Sequence, residues 1–189
     1  MNLSPRTQLL IGIALAALMA MTRGQHFATL NLPSASWAVF LLAGVLLTPR
    51  WVFPALFIEA SLLDFAAIQW AGVSDWCMSP AYWMLVPAYG ALWLGGRLYA
   101  GWHSDRLSSL ALLAATVAVS ALVCYLFSGG GFLFFSGRYP EPTLALLADR
   151  VALYYPRYLG GLALYVGLAV VSYIGVRAWQ LAQPRVEVK

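Results

Sequence analysis

Residues 107–127, LSSLALLAATVAVSALVCYLF, form a run of 21 positions without a charged side chain. A bilayer core takes about 20 apolar residues per helical crossing, so this run has the length and character of one span. Working outward, further apolar segments cover residues 9–21, 34–47, 52–71, 80–94 and 158–181. They are divided by polar or turn-forming stretches: one that includes Thr22, Arg23, Gly24, Gln25 and His26, then Thr48-Pro49-Arg50, then residues 72–79 and 95–106. Pro80 suits a first helical turn, where its missing N–H is not needed. Gly129, Gly130 and Gly131 mark a helix stop after Phe127. A loop with Pro140 and Pro142 and a short helical stretch near residues 144–155 precede the last segment. The expected architecture is an all-α integral membrane protein: a single domain of six transmembrane helices spanning residues 1–189.

Composition agrees. Hydrophobic residues make up 62% of the chain and charged residues 10%, against about 45–50% and about 25% in soluble domains. Six crossings nearly exhaust 189 residues and leave no room for a soluble catalytic domain. The single lysine, Lys189, stands at the chain's end, so no glycine-rich loop closes on Lys-Ser/Thr to hold ATP. The net charge of +4 is spread over many loops and reads as topology charge, with no nucleic-acid surface. Residues 1–21 superficially resemble a signal peptide, but five later apolar segments make a retained first helix the expectation.

Arginine and lysine favour the cytoplasmic side of short loops. With the N-terminus inside, Arg6, Arg50, Arg97, Arg106, Arg177, Arg185 and Lys189 face the cytoplasm, against Arg23, Arg138, Arg150 and Arg157 outside. Both termini are therefore expected to be cytoplasmic, and His26, Cys77 and residues 129–155 to share the outer face.

Ionisable groups at membrane depth point to function, which brings forward Glu59 and Asp64. The structural alternative is an ion pair, with Arg150 or Arg157 as partner. Cys77 lies among Asp75, Trp76, Met78, Tyr82 and Trp83, just before a helix start that would favour a thiolate. One cysteine cannot build a zinc site, but it can be an axial ligand to a metal already held by a macrocycle. Cys124 is its alternative partner, in a disulfide. Trp76, Tyr82, Trp83, Tyr89 and the run Tyr154-Tyr155-Pro156-Arg157-Tyr158 fit an interfacial aromatic belt. His26 can mark the same interface, and His103 falls in an inner loop, where solvation accounts for it. Residues 128–136 read as a flexible lid, and Ala16 and Ala20 give the first helix a small-residue docking face.

In order and spacing, several stretches resemble the BtuM family of small cobalamin transporters, related to the substrate-binding S-components of energy-coupling-factor transporters. They are Thr22-Arg23-Gly24-Gln25-His26-Phe27, residues 31–44, Phe53-Pro54-Ala55 through Asp64, and above all Val73-Ser74-Asp75-Trp76-Cys77 with Pro80-Ala81-Tyr82. The resemblance implies an S-component-like bundle in the bacterial inner membrane, with an outward-facing pocket for cobalamin as substrate and no cofactor of its own. It implies that Cys77 is the axial cobalt ligand and promotes loss of an upper ligand such as cyanide. Asp64, Tyr82, Arg150 and His26 are the implied pocket residues. The partner is either an energy-coupling-factor ATPase module or none. Two other classes stand beside this reading: a membrane-embedded thiol enzyme acting on corrinoids with Cys77 as nucleophile, and a structural or assembly protein with a Cys77–Cys124 disulfide.

Overall fold

The computed structural model describes residues 3–23, 32–104 and 106–183, with only the backbone at Cys77. Helix α1 spans Pro5–Arg23, α2 Ser36–Leu46, α3 Val52–Trp70, α4 Leu85–Trp102, α5 Leu107–Tyr125, α6 Gly131–Phe135 and α7 Leu144–Ala182. Two 3-10 turns, Asp75–Cys77 and Pro80–Met84, join α3 to α4, and a π-helical turn, Leu126–Gly130, joins α5 to α6. The described residues contain no strand. Four helical stretches are long and apolar enough to cross a membrane: Pro5–Arg23, Val52–Trp70, Leu107–Phe135 and Leu144–Ala182.

The short helix α2 is the axis of the bundle. Eight of its 11 residues are buried, as expected of a helix that is apolar all round. It packs mainly on α4 and also touches α1, α3 and α7. Its backbone meets that of α4 directly: a Cβ on Gly44 would overlap the Trp93 carbonyl oxygen, and one on Gly96 the Leu41 carbonyl oxygen. Small residues at a crossing allow such approach and so gain dispersion contacts that lipid-facing surfaces cannot supply. Phe40 stacks on Tyr89 at 4.4 Å, with Phe53 edge-on at 5.7 Å.

Side chains complete the helix ends. Thr22 Oγ1 donates to the Leu18 carbonyl at 2.8 Å and accepts the Ala35 N–H at 3.0 Å, so α1 supplies the polar group that the start of α2 lacks. Arg97 donates to the Thr48 carbonyl while its guanidinium lies 4.9 Å from the Trp93 ring centre. The Tyr165 hydroxyl donates to the Pro33 carbonyl at 2.6 Å.

Three boundaries depart from the sequence expectation. The fourth helix continues to Trp102 instead of ending at Leu94, because Gly95 and Gly96 are packing contacts against Ser120 and Leu41. The fifth does not stop at its glycines: it passes through the π-helical turn into α6. A Cβ on Gly131 would lie 2.6 Å from Met84 Cγ, so glycine there serves close approach. Residues 128–136 are thus largely helical, and the flexible-lid reading is corrected. Finally, the short stretch at 144–155 and the last crossing are one 39-residue helix, with Thr143 Oγ1 accepting the Leu146 N–H at 3.1 Å and Pro156 inside it. A proline removes one helical hydrogen bond without ending a helix that is held by its neighbours, and here the Tyr155 hydroxyl ties α7 to the Ala118 carbonyl of α5 at 2.8 Å.

Candidate functional site

Asp64 projects from α3 into a network that draws on four elements. Arg23, the last residue of α1, donates through Nε to Asp64 Oδ1 and through Nη2 to Oδ2, both at 2.7 Å. Its Nη1 donates to Ser36 Oγ on α2 and to the Tyr89 hydroxyl oxygen on α4, both at 2.9 Å. The Tyr82 hydroxyl donates to Asp64 Oδ2 at 2.9 Å. The side chains of Arg23 and Asp64 are 10% and 28% exposed. A bidentate guanidinium–carboxylate pair with added hydrogen bonds is the geometry in which buried charges are tolerated.

The expected cation for Asp64, Arg150 or Arg157, is therefore corrected to Arg23. Arg23 was legible as a cation beside the first apolar segment, but its pairing needs α1 and α3 side by side, which spacing alone does not reveal. Glu59 is half-buried and forms no ion pair among the described residues.

Tyr82 sits in the turn that follows Cys77. In the Asp75–Cys77 turn, Ser74 Oγ accepts the Trp76 N–H at 3.2 Å. The chain then passes through Met78 and Ser79 into Pro80–Met84, and the α-helix begins only at Leu85. Cys77 thus precedes a 3-10 turn, not an α-helix N-terminus, and the expected helix-dipole support for its thiolate is correspondingly reduced.

Beside this turn lies a cavity of about 540 Å3, lined by Phe57, Ser61, Met78, Ser79, Pro80, Tyr82 and Trp83. Ser79 Oγ is buried without a hydrogen-bond partner among the described residues. A buried hydroxyl left in this way is costly and marks a position where a ligand's polar group would be welcome. Trp76 and Trp83 are 49% and 71% exposed, offering aromatic surface next to the same turn.

Arg150 belongs to a separate aromatic cluster. Its Nη1 donates to the Tyr139 hydroxyl oxygen at 3.0 Å, its guanidinium lies 5.2 Å and 5.3 Å from the Tyr139 and Tyr154 ring centres, and the Tyr125 hydroxyl donates to its backbone carbonyl at 3.1 Å. Arg150 Nε is buried without a hydrogen-bond partner among the described residues. The segment between α6 and α7 also reaches the Cys77 turn, since the Arg138 guanidinium lies 4.7 Å from the Trp76 ring centre. Of the sequence-predicted residues, Asp64 and Tyr82 are in direct contact, Arg150 stands in its own cluster, and His26 lies outside the described residues. Ser36, Tyr89 and Ser79 join them as residues that patterning did not single out for a site.

Cys124 is a free thiol, fully buried, so the Cys77–Cys124 disulfide of the assembly-protein alternative is absent. His103 is not solvated as expected: Nδ1 lies 2.9 Å from the Tyr99 hydroxyl and 3.2 Å from Ser109 Oγ, with the Tyr173 ring edge-on at 5.9 Å. It occupies the end of the bundle opposite Cys77. Among the described residues no three His, Cys, Asp or Glu side chains gather as a metal site. The chain matches no family model and no curated protein sequence.

Proposed function

We propose that the chain binds cobalamin on the outer face of a bacterial inner membrane and carries it inward through a six-helix, S-component-like bundle with both termini cytoplasmic. The observation that carries this reading is the Arg23–Asp64–Tyr82 network beside the Cys77 turn, because it joins three residues of the motif-bearing stretches to a cavity with a hydroxyl unpaired among the described residues. In this reading α2 and α4 are the two further crossings, buried among the four long apolar helices.

Cobalt arrives already held by the corrin ring, so a lone cysteine suffices. The Cys77 thiolate binds one axial face and displaces the vitamin's nucleotide base. Its electron donation weakens the bond to the ligand opposite, and cyanide departs with its bonding pair, leaving the oxidation state of cobalt unchanged. Ser79 and Tyr82 meet the corrin amides, Trp76 and Trp83 cover apolar ring surface, and Arg150 Nε is a further donor for the amide rim. The cavity of about 540 Å3 lies within the range of about 300–1,000 Å3 usual for drug-sized ligands, and a corrinoid is larger. Entry therefore requires the outer loops to part, and the Arg138–Trp76 contact is the link to be broken. No nucleotide-binding loop is present, so ATP-driven turnover would come from a partner module docked on α1, where Ala20 is exposed and Ala16 half-buried.

An absorption spectrum of the purified protein incubated with cobalamin, beside Cys77→Ala, tests this. A retained corrin with a base-off spectrum that depends on Cys77 is expected. Corrin binding without that dependence would remove the axial ligand from the mechanism, and no corrin at all would remove the transporter reading.

A further inference from the structure

Two charges of opposite sign, Glu59 and Arg157, sit in the middle of the bundle, and among the described residues neither has an ionic partner. Glu59 belongs to α3, whose ends are flanked by the exposed Trp51 and Trp70. Tryptophan at both ends of an apolar helix marks the two membrane interfaces. At 1.5 Å per residue Glu59 lies about 12 Å from Trp51 and about 16 Å from Trp70, inside the hydrocarbon on either count. It is half-buried, at the border between the buried positions Leu56 and Ala60 and the exposed Ala55 and Leu62.

Arg157 follows Pro156 within α7 and is exposed. Its neighbours fix its depth. The Tyr155 hydroxyl reaches the Ala118 carbonyl, near the middle of α5. Tyr158 stacks on Trp37 at 4.9 Å, next to Ser36, whose hydroxyl is held by the same guanidinium that binds Asp64. Arg157 therefore stands between mid-α5 and the level of Asp64, well inside the helical layer. Asp64 is only about 7.5 Å beyond Glu59 along α3, a difference in depth that a long arginine side chain can cover.

Charged side chains at membrane depth are costly and are met by partners. Lipid phosphates stay at the headgroup level, out of reach of both residues. Within the chain, Asp64 is taken by Arg23, and Asp75, Glu141 and Asp149 stand in the outer turns and at the start of α7. We propose that a second copy of this chain, lying in the same orientation, is the partner, with Arg157 of one protomer paired with Glu59 of the other. The charges are self-complementary: each copy brings one of either sign at compatible depth, whereas an unrelated helix would have to supply both. A two-fold axis along the membrane normal forms the pair twice. This contact rests on the membrane crossing of α3 and α7 and not on the corrinoid reading.

The test is native mass spectrometry of the full chain released from mild detergent, across a dilution series. A dimer is expected. Glu59→Gln and Arg157→Gln should each weaken it about tenfold or more, the low end of the coupling between close charges across an interface. The reversals Glu59→Arg and Arg157→Glu should each leave monomers. Mixed together, the two reversed chains should recombine as a heterodimer, because each supplies the charge that the other lacks. Misfolded chains would show no such rescue. A monomer throughout the series, a dimer that both glutamine variants leave unchanged, or folded reversed chains that ignore each other would overturn the assignment.

Discussion

The two ends of this bundle solve the same problem in opposite ways. At the Cys77 end a buried charge is met from within: Asp64 is matched by Arg23, and Ser36, Tyr89 and Tyr82 take up the remaining hydrogen bonds. At the other end Tyr99, His103 and Ser109 hydrogen-bond one another, while Arg106 and Arg177 stand exposed at the edge of an open apolar groove. An internally matched charge makes an end rigid and costly to disturb, since removing either member leaves the other buried and uncompensated. An end held by side-chain hydrogen bonds, with no buried guanidinium–carboxylate pair among the described residues, tolerates loss better.

That contrast can be broken most sharply at Arg23. Arg23→Ala is expected to destabilise the protein by about 3–5 kcal/mol, the range for orphaning one member of a buried pair, measured by unfolding in detergent followed through tryptophan fluorescence. Adding Asp64→Ala should recover part of that loss, and a strictly additive double variant would sink the view that the pair acts as a unit. Between the two ends, Gly96→Ala drives a methyl into the Leu41 carbonyl, and a loss of about 1–3 kcal/mol is expected from overpacking, read in the same assay. At the hydrogen-bonded end, Ser109→Ala should cost only about 1 kcal/mol, the usual net value of a side-chain hydrogen bond. A loss as large as that of Arg23→Ala would erase the distinction between the ends. The smallest effect is expected at Arg138→Ala, which frees Trp76 from its cation. Removing a contact of this strength should speed corrinoid uptake about two- to fivefold in stopped-flow absorbance with little change in stability.

The helical class and the approximate position of every long helix were legible in the sequence, because lipid-facing and buried surfaces are both apolar and the runs between charges are long. The ends of those helices were less legible. Gly95, Gly96 and Gly131 look like punctuation in one dimension, and only the pairing of α4 with α5 and α2 and of Gly131 with Met84 turns them into contacts. The division of residues 144–181 into a short stretch and a separate crossing fails for the same reason, since the Tyr155 bond to α5 lies outside any local window. At the site, the cost of a carboxylate at membrane depth singled out Asp64, and the structure shows it in an ion pair. Its partner was hidden because Arg23 and Asp64 are 41 residues apart, and Arg150 and Arg157 competed for the role. Tyr82 came from a motif resemblance, and its hydroxyl bond to Asp64 has no counterpart in hydropathy.

The π-helical turn at Leu126–Gly130 also bears on how the chain can vary in length. Such a turn holds one residue more than an α-helical turn, and each residue rotates the following face by about 100°. Deleting one residue there would restore an unbroken α-helix, a change that local helix energetics would accept. The same deletion would swing Gly131 off Met84 and present a bulkier neighbour to the turn that carries Tyr82. A single-codon loss in this segment would therefore pass as silent in helix content and surface instead as a displaced Pro80–Met84 turn, far along the chain from the missing residue.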